Sequence, residues 1–224
     1  MKRGCIIVAG GNGSRMGSEL PKQFLAVGGT PVLMHTIANF YSFDPLLQLI
    51  IVLPEDEMGS WQKLCIRHHF EIQHQLIAGG TTRFQSVKNG LSLVLDCELI
   101  AVHDGVRPLV SHETIARCFE EAAREGAAIP VLPANESVRM GTMDSSVPVD
   151  RSRYFMVQTP QVFKASIILQ SYIQPWIPEF TDDASVVEYS GATVHLVPGN
   201  RENIKITYPE DLQIAEMFLK YSSL

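Results

Sequence analysis

Short β-branched runs alternate along this chain with longer stretches of helical periodicity, and that alternation leaves few folds open. Candidate strands are Gly4–Ala9, Leu49–Leu53, Gln75–Ala78, Leu99–His103, Ala128–Leu132 and Thr193–Val197. Helical patterns fall between them at Val32–Tyr41, Trp61–His68, Phe84–Leu95, His112–Glu125 and Asp182–Tyr189. Strand–helix alternation predicts an α/β fold, a mainly parallel, Rossmann-like twisted sheet with helices on both faces. In open sheets of this kind ligands sit beyond the carboxyl ends of the strands. A length of 224 residues suits one domain and makes two a tight fit, so residues 1–224 read as a single unit.

The first strand, with its apolar core Cys5-Ile6-Ile7-Val8, runs straight into Ala9-Gly10-Gly11-Asn12-Gly13. A turn without side-chain bulk lets backbone N–H groups approach an anion closely. Arg15 and Lys22 follow at a spacing that suits a polyphosphate about to be cut. Two better-known phosphate loops are excluded. No glycine here opens the Lys-Ser or Lys-Thr ending of a Walker A loop. The dinucleotide fingerprint starting at Gly11 fails at Met16, and no acidic residue ends a second strand about 20 residues on.

Other junctions carry similar chemistry. Leu99–Asp104 is a strand ending in a carboxylate, followed by Gly105-Val106-Arg107-Pro108. One carboxylate at a strand end is what Mg²⁺ needs when triphosphate oxygens and waters fill its other positions. Gly79-Gly80-Thr81-Thr82-Arg83-Phe84-Gln85-Ser86 is a second strand–turn–helix junction, where a backbone edge can approach a flat ring and Ser86 offers a hydroxyl. From Pro133 to Arg153 the chain turns polar and breaks the rhythm, which predicts an extended hairpin with its tip near Gly141–Ser146. Thr207 and Glu210 fit a capping box for a last helix with Leu212, Ala215 and Leu219 on its apolar stripe.

Composition narrows the partners. A formal net charge of -6 with no Lys/Arg cluster argues against nucleic acid, so any anion site is a local focus of positive charge. Cys5, Cys65, Cys97 and Cys118 form no C-x-x-C pair and read as reduced thiols rather than a disulfide frame or a zinc site. The first apolar run stops at Gly10, too short for a signal peptide or a membrane span, and the expected location is cytoplasmic. His68, His69 and His74 read as solvated, His112 lacks a second zinc-spaced histidine, and Trp61 and Trp176 read as packing or interface residues.

The stretch from Val8 to Leu25, with Pro21-Lys22-Gln23-Phe24-Leu25, resembles the signature of nucleotidyltransferases that activate phosphorylated sugars and polyols. It is most similar to the cytidylyltransferases acting on 2-C-methyl-D-erythritol 4-phosphate, and the similarity runs from about Gly4 to the helix after Pro209. A sister group acts on ribitol 5-phosphate. Thr181-Asp182-Asp183-Ala184-Ser185 looks like the methylerythritol enzymes and favours that substrate. A non-catalytic nucleotide-binding regulator on the same fold is the alternative of a different class. Loss of Arg15, Lys22 or Asp104 would mark it, and all three are present.

The resemblance implies transfer of CMP from CTP, with Mg²⁺, to the phosphopolyol in a homodimer, and no membrane partner. It assigns Ala9, Gly10, Gly11, Asn12 and Gly13 to the triphosphate, and Gly80 and Ser86 to the base. Some relatives carry an acidic residue where Thr81 stands. It gives Arg15, Lys22, Arg151 and Lys205 catalytic roles, and Asp104 the metal and a substrate contact. Arg107, Ser137, Arg151, Thr159, Thr181 and Lys205 fall to the substrate, Thr181 doubling as a helix N-cap. The segment 133–153 is implied to be an arm that clasps a second subunit and brings Arg151 to the neighbour's substrate phosphate.

Overall fold

The structure is a computed structural model and describes residues 1–11 and 20–221. β1 (Arg3–Val8) opens the fold, and a small ladder of β2 (Ala26–Val27) and β3 (Thr30–Pro31) leads into α1 (Val32–Phe43). The chain then alternates through β4 (Gln48–Leu53), α2 (Met58–Arg67), β5 (Gln75–Ala78), α3 (Arg83–Leu91), β6 (Leu99–Asp104), α4 (His112–Glu125) and β7 (Ala127–Pro133). A hairpin of β8 (Arg139–Gly141) and β9 (Ser146–Pro148) precedes β10 (Phe155–Val157), β11 (Gln161–Lys164) and α5 (Ala165–Ser171). α6 (Asp183–Tyr189), β12 (His195–Pro198) and α7 (Pro209–Tyr221) complete it.

The main sheet runs β5-β4-β1-β6-β11-β7-β10, with β12 paired to β7. β5, β4, β1 and β6 are parallel to one another, as β12 is to β7, while β10 and β11 run antiparallel to their neighbours. The sheet is therefore mainly parallel. Its strands are apolar on both faces because side chains alternate across the pleat and helices cover both sides. Cys5 and Ile7 of β1 face a core with Leu49, Ile51, Leu99 and Ala101, closed by α1, α2 and α4. Ile6 faces the other way, with Ile50, Val52, Ile100 and Val102 under α3, α5 and α6.

Local chemistry sets the element ends. Ser111 caps α4 by accepting from the Thr114 N–H, and Gly126, at φ +106°, ends the helix. Gly141, at φ +139°, opens the hairpin tip, where a Cβ would lie 2.2 Å from the Ser145 carbonyl oxygen. On the α2 side Trp61 is fully buried, stacks on Phe24 at 6.0 Å and donates its Nε1–H to His74 Nε2 at 3.0 Å.

Three expectations need correction. His74 is not solvated: it accepts from Trp61, donates Nδ1–H to the Ile72 carbonyl at 2.7 Å, and burial lowers its pKa. The capping box at Thr207 does not form, because Asp211 reaches back one residue further and accepts from the N–H groups of Thr207 and Tyr208. Thr181 is not the cap of α6; Asp182 is, exchanging hydrogen bonds with Ser185. Gln158-Thr159-Pro160 forms the bend between β10 and β11, and α5 follows, a short helix that sequence reading did not place.

Candidate active site

β5, β4, β1 and β6 run parallel and end at one edge of the sheet, and a cleft of about 230 Å³ lies beyond the carboxyl ends of β1, β5 and β6. Ala9, Gly10 and Gly11 form one wall, Gly80, Thr81, Arg83 and Ser86 a second, and Lys22, Asp104 and Lys205 complete it. The Lys22 stem runs close over Gly11, its Cε 3.3 Å from where a Cβ would stand. Asn12, Gly13 and Arg15 fall outside the described residues.

At the β5–α3 junction, Thr82 caps α3 by accepting from the Gln85 N–H. The Ser86 hydroxyl accepts from the Gly80 N–H at 3.1 Å and donates to the Thr82 carbonyl at 2.9 Å. A side chain at Gly80 would collide with Gln85, whose Cγ lies 2.1 Å from the Cβ position. The turn is thus fixed by its own hydrogen bonds.

Asp104 is the electrostatic centre. It is 8% exposed, and its Oδ2 lies 3.1 Å from both Lys205 Nζ and Arg107 Nε, with Arg83 Nε 4.0 Å from Oδ1. Burial opposes its charge, but Lys205, Arg83 and Arg107 together hold the carboxyl below the usual carboxylate range. Arg107 is spoken for twice, since Nη1 also donates to the Asn203 carbonyl at 2.8 Å.

Behind Asp104 runs a chain of hydrogen bonds with one consistent direction. The Asp104 N–H donates to Thr159 Oγ1 at 3.1 Å, and the Thr159 hydroxyl meets His103 Nδ1 at 3.0 Å. His103 Nε2 lies 3.0 Å from the Arg107 carbonyl, which can only accept. Nε2 therefore carries the proton and Nδ1 accepts from Thr159. The imidazole is fully buried, and burial lowers its pKa to about 4, so it is neutral.

Not every expected residue reaches the cleft. Thr159 is buried with its hydroxyl proton committed to His103, so it braces Asp104 instead of presenting a donor to a phosphate. Thr181 is exposed and does not line the cleft. Ser137 and Arg151 lie on and beside the hairpin, exposed, and Arg151 donates to the Asn135 carbonyl of its own arm. Sequence reading misses Arg83. It lines the cleft and makes a bidentate pair with Asp183, at 2.9 and 2.6 Å, from a hundred positions away in sequence. Burial works against its charge, but Asp183 and then Asp104 raise its pKa above the ordinary value. Among the described residues no three His, Cys, Asp or Glu side chains converge as a metal cluster, and no helix is long and apolar enough to cross a membrane.

Known proteins share this architecture. The profile of the IspD family, 2-C-methyl-D-erythritol 4-phosphate cytidylyltransferase, matches residues 4–221. The chain is 55% identical to the enzyme of that name from Bacteroides thetaiotaomicron, over 98% of this chain and all of the relative. It is 50% identical to the one from Porphyromonas gingivalis, over 97% of this chain and 98% of the relative. Its fold matches the crystal structure of 2-C-methyl-D-erythritol 4-phosphate cytidylyltransferase from Thermus thermophilus with a TM-score of 0.79 at 30% identity, covering 98% of this chain and all of that one. The 4-diphosphocytidyl-2C-methyl-D-erythritol synthase of Anaerococcus prevotii superposes with a TM-score of 0.82 at 27% identity, covering 98% and 96% of the two chains. With the profile spanning nearly the whole chain and relatives matched end to end, the chain belongs to the IspD family of 2-C-methyl-D-erythritol 4-phosphate cytidylyltransferases.

Proposed function

We propose that this cleft performs the family reaction, transfer of CMP from CTP to 2-C-methyl-D-erythritol 4-phosphate with release of pyrophosphate, in the non-mevalonate route to isoprenoid precursors. The observation that carries the reading is the gathering of Lys22, Arg83 and Lys205 in one cleft with the carboxylate of Asp104 at the strand ends. A phosphate oxygen of the polyol attacks the α-phosphorus of CTP in line. The new O–P bond forms as the bond to the β-bridging oxygen breaks, and pyrophosphate leaves with the electron pair. No general base is necessary, because a phosphate monoester with a second pKa of about 6 is already largely dianionic at neutral pH. The protein's task is to bring two anions together and offset charge on the transferring group.

In this reading Ala9–Gly13, Arg15 and Lys22 hold the triphosphate, and Gly80 and Ser86 face the cytosine. Lys205 and Arg107 serve the attacking phosphate. Mg²⁺ fits the donor set in one way only. Asp104 Oδ2 is met by Lys205 and Arg107 at 3.1 Å, whereas Arg83 Nε stays 4.0 Å from Oδ1, the oxygen that can give one ligand. Triphosphate oxygens and waters supply the rest, and the ion offsets charge on the phosphates when bound.

The chain acts as one nucleotidyltransferase unit, with residues 133–153 as a dimerisation arm. Support comes from apolar surface that a lone subunit leaves bare: Met140, Met143 and Val147 on the arm, and Phe155, Met156 and Val157 on β10, all exposed. A second copy covering them would bring its Arg151 and Ser137 to this cleft. Pyrophosphate release from CTP and Mg²⁺, with methylerythritol phosphate and ribitol phosphate as rival acceptors, tests the function. Turnover with the former only is expected, and release with neither overturns it.

A further inference from the structure

Arg83 and Asp183 are the first residues of α3 and α6, and their side chains lock two helix starts together. The guanidinium meets the carboxylate fork to fork, at 2.9 and 2.6 Å, and Tyr172 adds its hydroxyl to Asp183 Oδ1 at 2.6 Å. Asp183 is fully buried, and the Tyr172 ring stacks on Phe84 at 4.6 Å. Nothing in helix energetics asks for this. A cation in the first turn of a helix opposes the helix dipole, and a buried ion pair gains little over an apolar pair of the same shape. What the pair does achieve is placement. It parks Arg83 with Nε 4.0 Å from Asp104 Oδ1, near the carboxylate without closing on it.

The pair also joins two walls. α3 begins at the turn of Gly80 and Ser86, and α6 begins beside Thr181, held to the sheet by Gln161, which donates to Asp182 at 2.8 Å and accepts from the Ala184 N–H at 2.9 Å. We propose that Asp183 is a positioning residue, which restrains Arg83 so that Asp104 Oδ1 and the acceptor side of the cleft stay open. Without the carboxylate, Arg83 keeps its charge and has Asp104 as its nearest anion. It then closes the remaining gap and covers Oδ1. This inference rests on the reading of the cleft given above, with the nucleotide on the α3 side and the phosphopolyol beside Asp104.

The test is calorimetry on the full chain without Mg²⁺, so that the nucleotide makes no use of Asp104 Oδ1, with two non-reacting partners: α,β-methylene CTP alone, then methylerythritol phosphate added to that complex. Asp183→Asn keeps the shape of the side chain and removes its charge. The expected result is phosphopolyol affinity weakened at least about ten-fold while the nucleotide analogue binds within about two-fold of wild type. Asp183→Glu restores the charge on a longer stem and should recover most of the loss. A double variant, Asp183→Asn with Arg83→Gln, removes the cation that closes on Asp104 and should bind phosphopolyol better than Asp183→Asn alone. Equal losses for both ligands, or no loss for either, overturn the positioning role while leaving the reaction assignment intact. A wild-type chain that binds neither ligand overturns both.

Discussion

Lys205 Nζ and Arg107 Nε meet the same oxygen of Asp104, each at 3.1 Å, although Lys205 arrives from the far end of the chain. The two cations differ in what else holds them. Arg107 is nearly enclosed and donates to Asn203, whereas the Lys205 side chain is 45% exposed and reaches in from the rim. Lys205→Ala should therefore leave the melting temperature almost unchanged, because Lys205 is half in solvent and Arg107 and Arg83 still compensate the buried carboxylate. Turnover should fall by about 10²–10³-fold, the scale for losing one electrostatic contact to a transition state. Steady-state kinetics beside a thermal melt checks this, and a large fall in melting temperature with modest loss of rate would reverse the assignment.

His103 gives the protein an acid limit of its own. Burial takes the imidazole from its ordinary 6.5 to about 4. A base with a depressed folded pKa contributes stability that is present above pH 6.5 and is lost as the pH falls toward 4, because the unfolded chain takes up the proton first. The loss across that window is on the order of 3 kcal/mol. Urea unfolding of wild type and His103→Gln at intervals from about pH 7 down to about pH 4 isolates it. The variant should be less stable at neutral pH yet lose less on acidification, and parallel curves would show that His103 does not titrate on unfolding.

Metal binding should depend on the nucleotide. One carboxylate, within reach of three cations, is a poor Mg²⁺ site, and triphosphate supplies the missing ligands. Titration of Mg²⁺ into the protein alone should give no measurable heat at millimolar concentrations, and a clear isotherm once α,β-methylene CTP is bound. A metal that survives dialysis against chelator in the nucleotide-free protein would contradict this.

The arm can be tested by mixing. Arg151→Ala and Lys22→Ala should each be nearly inactive, and after subunit exchange a heterodimer holds one site with both residues intact. Activity should return toward half of one wild-type dimer's two sites. Exchange demonstrated by mass, with no return of activity, would place Arg151 at its own subunit's cleft or outside both.

The parts legible in the sequence were those set by neighbouring residues. β1, β4, β5 and β6 declare themselves by β-branched runs, and His112–Glu125 by its period and the glycine after it. Asp104 stood out because a carboxylate ended an apolar strand. The Arg83–Asp183 pair was not legible, since nothing local links residues a hundred positions apart and Arg83 looks like any helix-opening cation. β10 and β11 were obscured by Gln158-Thr159-Pro160, a bend that splits one apolar stretch into two short strands. At α6, Thr181 and Asp182 are both good caps, and only the backbone decides for Asp182.

Trp61 has an optical consequence. Its indole is buried against Phe24, whose two preceding residues are Lys22 and Gln23 of the cleft wall, and it is hydrogen-bonded to a histidine. Trp176, the other tryptophan, is 47% exposed on the surface. A buried fluorophore packed on the segment that carries Lys22 and Gln23, in a chain whose second tryptophan faces solvent where iodide can quench it, should let the unlabelled protein report occupancy of its own cleft by emission alone.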